Sequence, residues 1–121
     1  MAEPIGRTRW VIADGYIPGR SHGPAPQMES HETMSVLNAG EADAQLAVSI
    51  FFSDQEPIGP FGVTVPARRT RHFRFNELPI PHDTDYSALI ESDQPVVVQH
   101  TRLDSRQEAL ALVTTIAYSA G

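Results

Sequence analysis

The sequence predicts an all-β chain, a β-sandwich of jelly-roll type with seven or eight strands and one or two short helical turns. Three observations carry that prediction. Strand-like runs recur at a spacing of roughly 8 to 15 residues. Turn signals rich in Gly and Pro separate them, the chain holding 8 glycines and 10 prolines. No segment shows the i, i+3, i+4 apolar recurrence of a long amphipathic helix.

Arg9–Ala13 is the first predicted strand. A loop follows over Asp14–Ser30, DGYIPGRSHGPAPQMES, with three glycines and three prolines, too interrupted for core structure. Thr33–Leu37 reads as a strand, closed by a turn at Asn38-Ala-Gly-Glu41. Ala44–Phe52 alternates cleanly: Leu46, Val48, Ile50 and Phe52 face one way, Gln45, Ser49 and Ser53 the other, as on a half-buried antiparallel strand. Asp54–Pro60 turns the chain. Phe61–Val65 and Arg69–Phe75 form the next pair, split by Pro66. Thr84 is placed to cap one helical turn running to Leu89, with Pro95 stopping it. Val96–Leu103 and Leu112–Tyr118 complete the set. Ser105-Arg-Gln-Glu108 matches a capping box, but Val113, Thr114, Thr115, Ile116 and Tyr118 are strand formers, so a short turn and a strand are expected there.

At 121 residues the chain fits a single domain spanning 1–121. Its 40% apolar and 20% charged content is that of an ordinary globular protein. No window reaches the ~18 to 20 apolar residues of a membrane span, and the N-terminus lacks a signal-peptide pattern, so a cytoplasmic location is expected. Without cysteine, disulfides, thiolate zinc sites and cysteine nucleophiles are excluded. All 9 basic residues are Arg, which suits bidentate recognition of carboxylates and phosphates. The net charge of −6 argues against nucleic-acid binding and suits a partner with a basic face, such as the cytoplasmic loops of a membrane protein.

Two segments carry unusual polar chemistry. In Pro95–Arg106, PVVVQHTRLDSR, strand alternation puts Val96, Val98, His100, Arg102 and Asp104 on one face. Such a row on a buried strand is either salt-bridged structure, with Arg102 paired to Asp104, or a ligand-binding row. In Ala67–Asn76, ARRTRHFRFN, four arginines and a histidine surround Phe73 and Phe75. That segment reads as a solvated basic edge strand or as a site for an anion or sugar. His31, His72 and His100 would have to converge from different strands to hold a metal; the sequence has no His-x-His or helical His-x-x-x-His. No Gly-x-Ser-x-Gly elbow or Gly-rich phosphate loop is present, and Asp83 and Asp85 read as turn-capping carboxylates. Trp10 and Tyr16 flank the long loop, either as stacking platforms for a sugar ring or as plain packing residues.

With these blocks assembled, the chain resembles the sensory rhodopsin transducer family from about Ile5 to Tyr118. The carriers are IGRTRWVIADGYIP, SHETMSVLNAG, FFSDQEPIGPF, VPARRTRHFRFN, PIPHDTDYSALI, PVVVQHTRLDSRQ and TTIAYS. The resemblance implies a jelly-roll β-sandwich, a homotetramer and no enzyme activity or cofactor. It implies a soluble signal carrier that docks to a membrane sensory rhodopsin or another receptor; related proteins without a rhodopsin partner are regarded as small-molecule, sugar-binding domains. Loops around Gly19–Gln27 are expected to differ among relatives. The candidate ligand-binding residues, assigned from alternation and side-chain chemistry, are Trp10, His31, Glu32, Arg69, His72, His100 and Arg102.

Overall fold

The computed structural model describes residues 3–22, 25, 28–107 and 109–121. The predicted loop at Gly19–Gln27 and the capping-box Glu108 lie partly or wholly outside that set. Among the described residues eight strands form: β1 (Arg7–Tyr16), β2 (His31–Asn38), β3 (Ala44–Phe52), β4 (Ile58–Val65), β5 (Arg69–Arg74), β6 (Asp85–Asp104), β7 (Ala111–Ile116) and β8 (Tyr118–Ser119). Every pairing between them is antiparallel. The chain folds as the predicted β-sandwich. Among the described residues no helix is long and apolar enough to cross a membrane.

Strand β6 organises the sandwich, because it belongs to both layers. Its first part, Asp85–Ser92, pairs with β1 and β3, giving one sheet in the order β4-β3-β6-β1-β8. Its second part, Val97–Asp104, pairs with β2 and β7, giving the other in the order β5-β2-β6-β7. The register slips between Arg7↔Val96 and Arg9↔Glu91, so β6 carries extra residues at the crossing. Pro95 sits in that irregular stretch, where a missing N–H costs no ladder bond.

The inward rows follow the period of two. Met34 and Val36 of β2 meet Leu46, Val48 and Ile50 of β3, with Val63 and Val65 of β4, Phe73 and Phe75, and Ala88, Ile90, Val96 and Val98 of β6. Each of these is nearly sealed from water. At about 1.5 to 3 kcal/mol for each fully buried large apolar side chain, this row set is the main source of stability.

One local expectation is corrected. Thr84–Leu89 is not a helical turn: Asp85 begins β6, and Tyr86, Ala88 and Ile90 point inward at alternate positions. That period of two, backed by partners on both sides, overrides a single capping residue. The helical turn forms instead at Phe75–Glu77, a 3-10 turn closed by the Leu78 N–H donating to Phe75 O at 2.9 Å.

Candidate functional site

The centre of the site is Glu32, the second residue of β2, fully buried. Alternation along β2 sends Glu32, Met34, Val36 and Asn38 inward, so a carboxylate occupies the end of the row, next to two apolar side chains. Register then decides its neighbours. Glu32 lies opposite Arg102 and Met34 opposite His100 on β6. Directly opposed residues on adjacent strands approach to about 4.5 to 5.5 Å at Cβ, within reach of a salt bridge.

Both carboxylate oxygens are saturated. Oε1 accepts from Tyr86 Oη at 2.7 Å and from His100 Nε2 at 2.9 Å. Oε2 accepts from the Tyr16 backbone N–H at 2.8 Å and from Arg102 Nε at 2.8 Å. A carboxylate offers about four lone-pair sites, and all are used. An ionised carboxylate only accepts, so Nε2 of His100 carries the proton. Burial pushes Glu32 up, but the bonds from His100, Tyr86 and Tyr16 and the Arg102 charge outweigh it and hold the carboxyl below its usual range. Arg102 is held above its usual value: burial disfavours its charge, and Glu32 and then Asp14 more than restore it. Burial, then the Glu32 charge, drives the Tyr86 hydroxyl strongly upward, so it stays a donor.

Two further groups complete the arrangement. Arg102 Nη2 donates to Asp14 O at 3.0 Å and to Asp14 Oδ1 at 3.3 Å. Asp14 reaches Arg102 because β1 is irregular there: Ile12 pairs with Ala88 but Gly15 with Tyr86, leaving one extra residue on β1. Gly15 is required by its neighbour. A Cβ on it would stand 2.5 Å from the Tyr86 ring, which packs on the bare backbone while its hydroxyl extends to Glu32. Below the carboxylate, Asn76 Oδ1 accepts the Glu32 N–H at 3.2 Å and Asn76 Nδ2 donates to Ser30 O at 3.1 Å, clamping the start of β2.

His100 is the point where this network meets an opening. Nε2 is its only ring nitrogen with a protein partner among the described residues, and Nδ1 is not sealed from solvent. The ring lines a cleft of about 350 Å³ between β1 and β7, with Val11, Ile12, Ala13, Asp14, Ile116 and Tyr118 among its walls. A second cleft, of about 460 Å³, lies on the other side of Asp14 and Gly15, walled by Phe51, Phe52, Asp85, Tyr86 and Ser87.

Of the sequence-selected residues, the structure brings Glu32, His100 and Arg102 together and leaves four apart. Trp10 is buried in the core, its indole N–H shared between Arg7 O and Val96 O, each at 3.0 Å. His31 faces away from Glu32, its Nδ1 2.7 Å from Glu29 O. Arg69 and His72 stand exposed on β5, the Arg69 guanidinium spent on the backbone carbonyls of Ala67 and Arg68. His31, His72 and His100 therefore do not converge, and no group of three or more metal-ligating side chains exists among the described residues. The expected Arg102–Asp104 pair does not form either: Asp104 binds Arg106 at 2.6 Å. Residues two apart on a strand are about 6.6 Å apart, whereas Glu32 is directly opposite.

Tyr86 and Asp14 were missed. Tyr86 had a readable signal, an aromatic with a polar tip heading the alternating row Tyr86, Ala88, Ile90. Asp14 had none, because a strand irregularity aims it.

Comparison with known proteins places this architecture. The family model described as "Anabaena sensory rhodopsin transducer" matches residues 5–119. Among solved structures, that of Thermotoga maritima 1070 superposes with a TM-score of 0.87 at 34% identity, covering 94% of this chain and 95% of that one. The Anabaena sensory rhodopsin transducer superposes with a TM-score of 0.76 at 59% identity, covering 88% of this chain and 96% of that one. No curated protein sequence matches.

Proposed function

Because this chain belongs to the Anabaena sensory rhodopsin transducer family, we propose that it is a non-enzymatic, single-domain cytoplasmic signal carrier, a homotetramer that docks to a membrane photoreceptor or a related receptor. The observation that carries this reading is the 59% identity to the Anabaena sensory rhodopsin transducer across 96% of that chain. The buried chemistry agrees with it. All four lone-pair sites of Glu32 are taken by donors of the protein itself, an arrangement suited to bracing the sandwich. Docking draws on charge: a chain of net −6 is attracted to the basic cytoplasmic loops of a membrane receptor.

The test is calorimetric titration of the full chain into the Anabaena sensory rhodopsin held in lipid nanodiscs, at two salt concentrations. Binding that weakens as salt rises is expected. Absence of binding at low salt overturns the rhodopsin as partner.

A second reading, binding of a small sugar-like ligand, is favoured by the cleft of about 460 Å³, where Phe51 and Phe52 adjoin Asp14 and Asp85. Carboxylates there suit hydroxyl groups, and an aromatic wall suits the C–H face of a sugar ring. The same carboxylates disfavour an organic anion. A thermal-shift series with monosaccharides checks it; a ligand at 100 times its dissociation constant adds about 2.7 kcal/mol, and a flat series counts against a sugar.

A further inference from the structure

The register of β6 with β7 sets His100 opposite Thr115 and Arg102 opposite Val113, so Thr115 and Val113 turn to the same inner face as the polar row. They are nevertheless exposed, as is the whole of β7. The facing sheet ends with β1 and the two-residue β8, which among the described residues pairs only with Trp10 and Val11. Where that sheet stops, the cleft of about 350 Å³ beside His100 opens. Its walls are mostly aliphatic, Val11 and Ile12 from β1 and Ile116 and Ala117 from the other side. The latter two belong to Ala109–Gly121, a run without an acidic or basic side chain. At its floor is His100, 9% exposed, with Nε2 committed to Glu32 and Nδ1 without a partner among the described residues. No side-chain nitrogen or oxygen of those residues is both sealed and unpartnered, so Nδ1 keeps its access to solvent, and this cleft supplies it.

We propose that this cleft binds a small neutral molecule of the phenol or indole kind, a flat apolar body with one O–H or ring N–H that donates to His100 Nδ1. The proposal stands apart from the sugar reading, which concerns the cleft on the other side of Asp14. Three features of the site select that chemistry. Glu32 accepts from Nε2, so Nδ1 of the neutral ring is a lone pair and the ligand must bring the proton. Asp14 stands at the cleft and no arginine lines it, so a carboxylate or phosphate would meet a like charge without a counter-ion. The aliphatic walls offer nothing to further hydroxyls, and each one facing them would give up its water without a replacement, which refuses a sugar. A ring fits where a sugar does not. Ile116 and Tyr118 are 56% and 70% exposed, and a flat apolar body laid against them covers that surface while its single donor reaches the imidazole.

The test is an NMR titration of the isotope-labelled full chain with p-cresol, compared with toluene, p-toluate and glucose. Expected are saturable binding of p-cresol, amide shifts clustered at residues 11–14 and 115–118, and movement of the His100 Nδ1 ring-nitrogen signal. Toluene, which has the ring without the donor, should bind about tenfold more weakly or worse. Neither p-toluate nor glucose should shift those amides. Thr115→Phe, which fills the cleft from an exposed position outside the Glu32 network, should weaken p-cresol at least about tenfold while the amide spectrum stays dispersed. Where that variant fails to fold, Tyr118→Ala takes its place, and a severalfold loss of p-cresol affinity is expected. The proposal is overturned if p-cresol does not saturate below its solubility limit, if toluene binds as tightly, or if p-toluate or glucose enters the cleft. It is equally overturned if the filled or opened cleft binds p-cresol as the wild type does, or if the shifts fall instead at residues 51–53 and 85–87. None of these outcomes bears on receptor docking, which the nanodisc titration decides by itself.

Discussion

Two arginines hold a glutamate at the same distance and do opposite work. Arg102 Nε lies 2.8 Å from Glu32 Oε2, and Arg68 Nη1 lies 2.8 Å from Glu41 Oε1. The first pair has a carboxylate with 0% exposure and a guanidinium with 28%; the second is 81% and 66% exposed. Water competes for every atom of the surface pair and for almost none of the carboxylate's in the buried one. Distance therefore says little about worth. What matters is what each group would face if its partner were removed.

That contrast is sharpest under truncation. Glu32→Ala removes the acceptor of His100, Tyr86 and the Tyr16 N–H and leaves Arg102 with Asp14 alone. It should destabilise by about 3 to 5 kcal/mol, toward the lower figure because Arg102 retains some access to water. Urea melts measure this directly, and a loss under about 1 kcal/mol would mean that Glu32 is not a brace.

Tyr86→Phe is the next largest. It keeps the ring over Gly15 and deletes one donor to a charged acceptor, so a loss of about 2 kcal/mol is expected. A change near zero in the same melts would place the stabilisation in the ring packing alone.

The buried pair should also carry a pH signature. Glu32 is held below the ordinary value of 4.5 in the folded state. A depressed carboxyl contributes stability that is fully present above its unfolded value and is lost as pH falls through the folded value. The stability gap between wild type and Glu32→Gln should thus be constant near neutrality and shrink as pH drops below about 4. Melts repeated across that range test it; a gap that widens with acid contradicts the sign.

The smallest effect belongs to the surface pair. Arg68→Ala should cost less than about 0.5 kcal/mol, and what it costs should vanish in 0.5 M salt, whereas the Glu32→Ala loss should persist. Equal salt sensitivity would erase the distinction between the two pairs.

The same contrast explains how far the sequence could be read. Inward alternation of Val96, Val98, His100 and Arg102 was visible from the residues, and so was the strand character of 44–52 and 112–116. Period-two patterns report which face a side chain takes, and that much is local. They are silent about which strand lies alongside, so Arg102 looked to Asp104 in its own strand when its partner was Glu32, seventy residues earlier. Thr84–Leu89 failed for the related reason that a capping residue is a weak local preference and paired neighbours on both sides are a strong tertiary one.

By itself, then, the sequence determined the class of fold, the inward faces of the strands, the absence of cysteine chemistry and the uncharged character of the last thirteen residues, because composition and periodicity are properties of one chain segment at a time. Tertiary structure alone decided that β6 serves both sheets, that Glu32 meets His100, Arg102 and Tyr86, that an extra residue in β1 delivers Asp14, and that β7 ends its sheet uncovered. Each of these depends on register between strands far apart in sequence, and a shift of one residue would turn every one of those side chains to the opposite face.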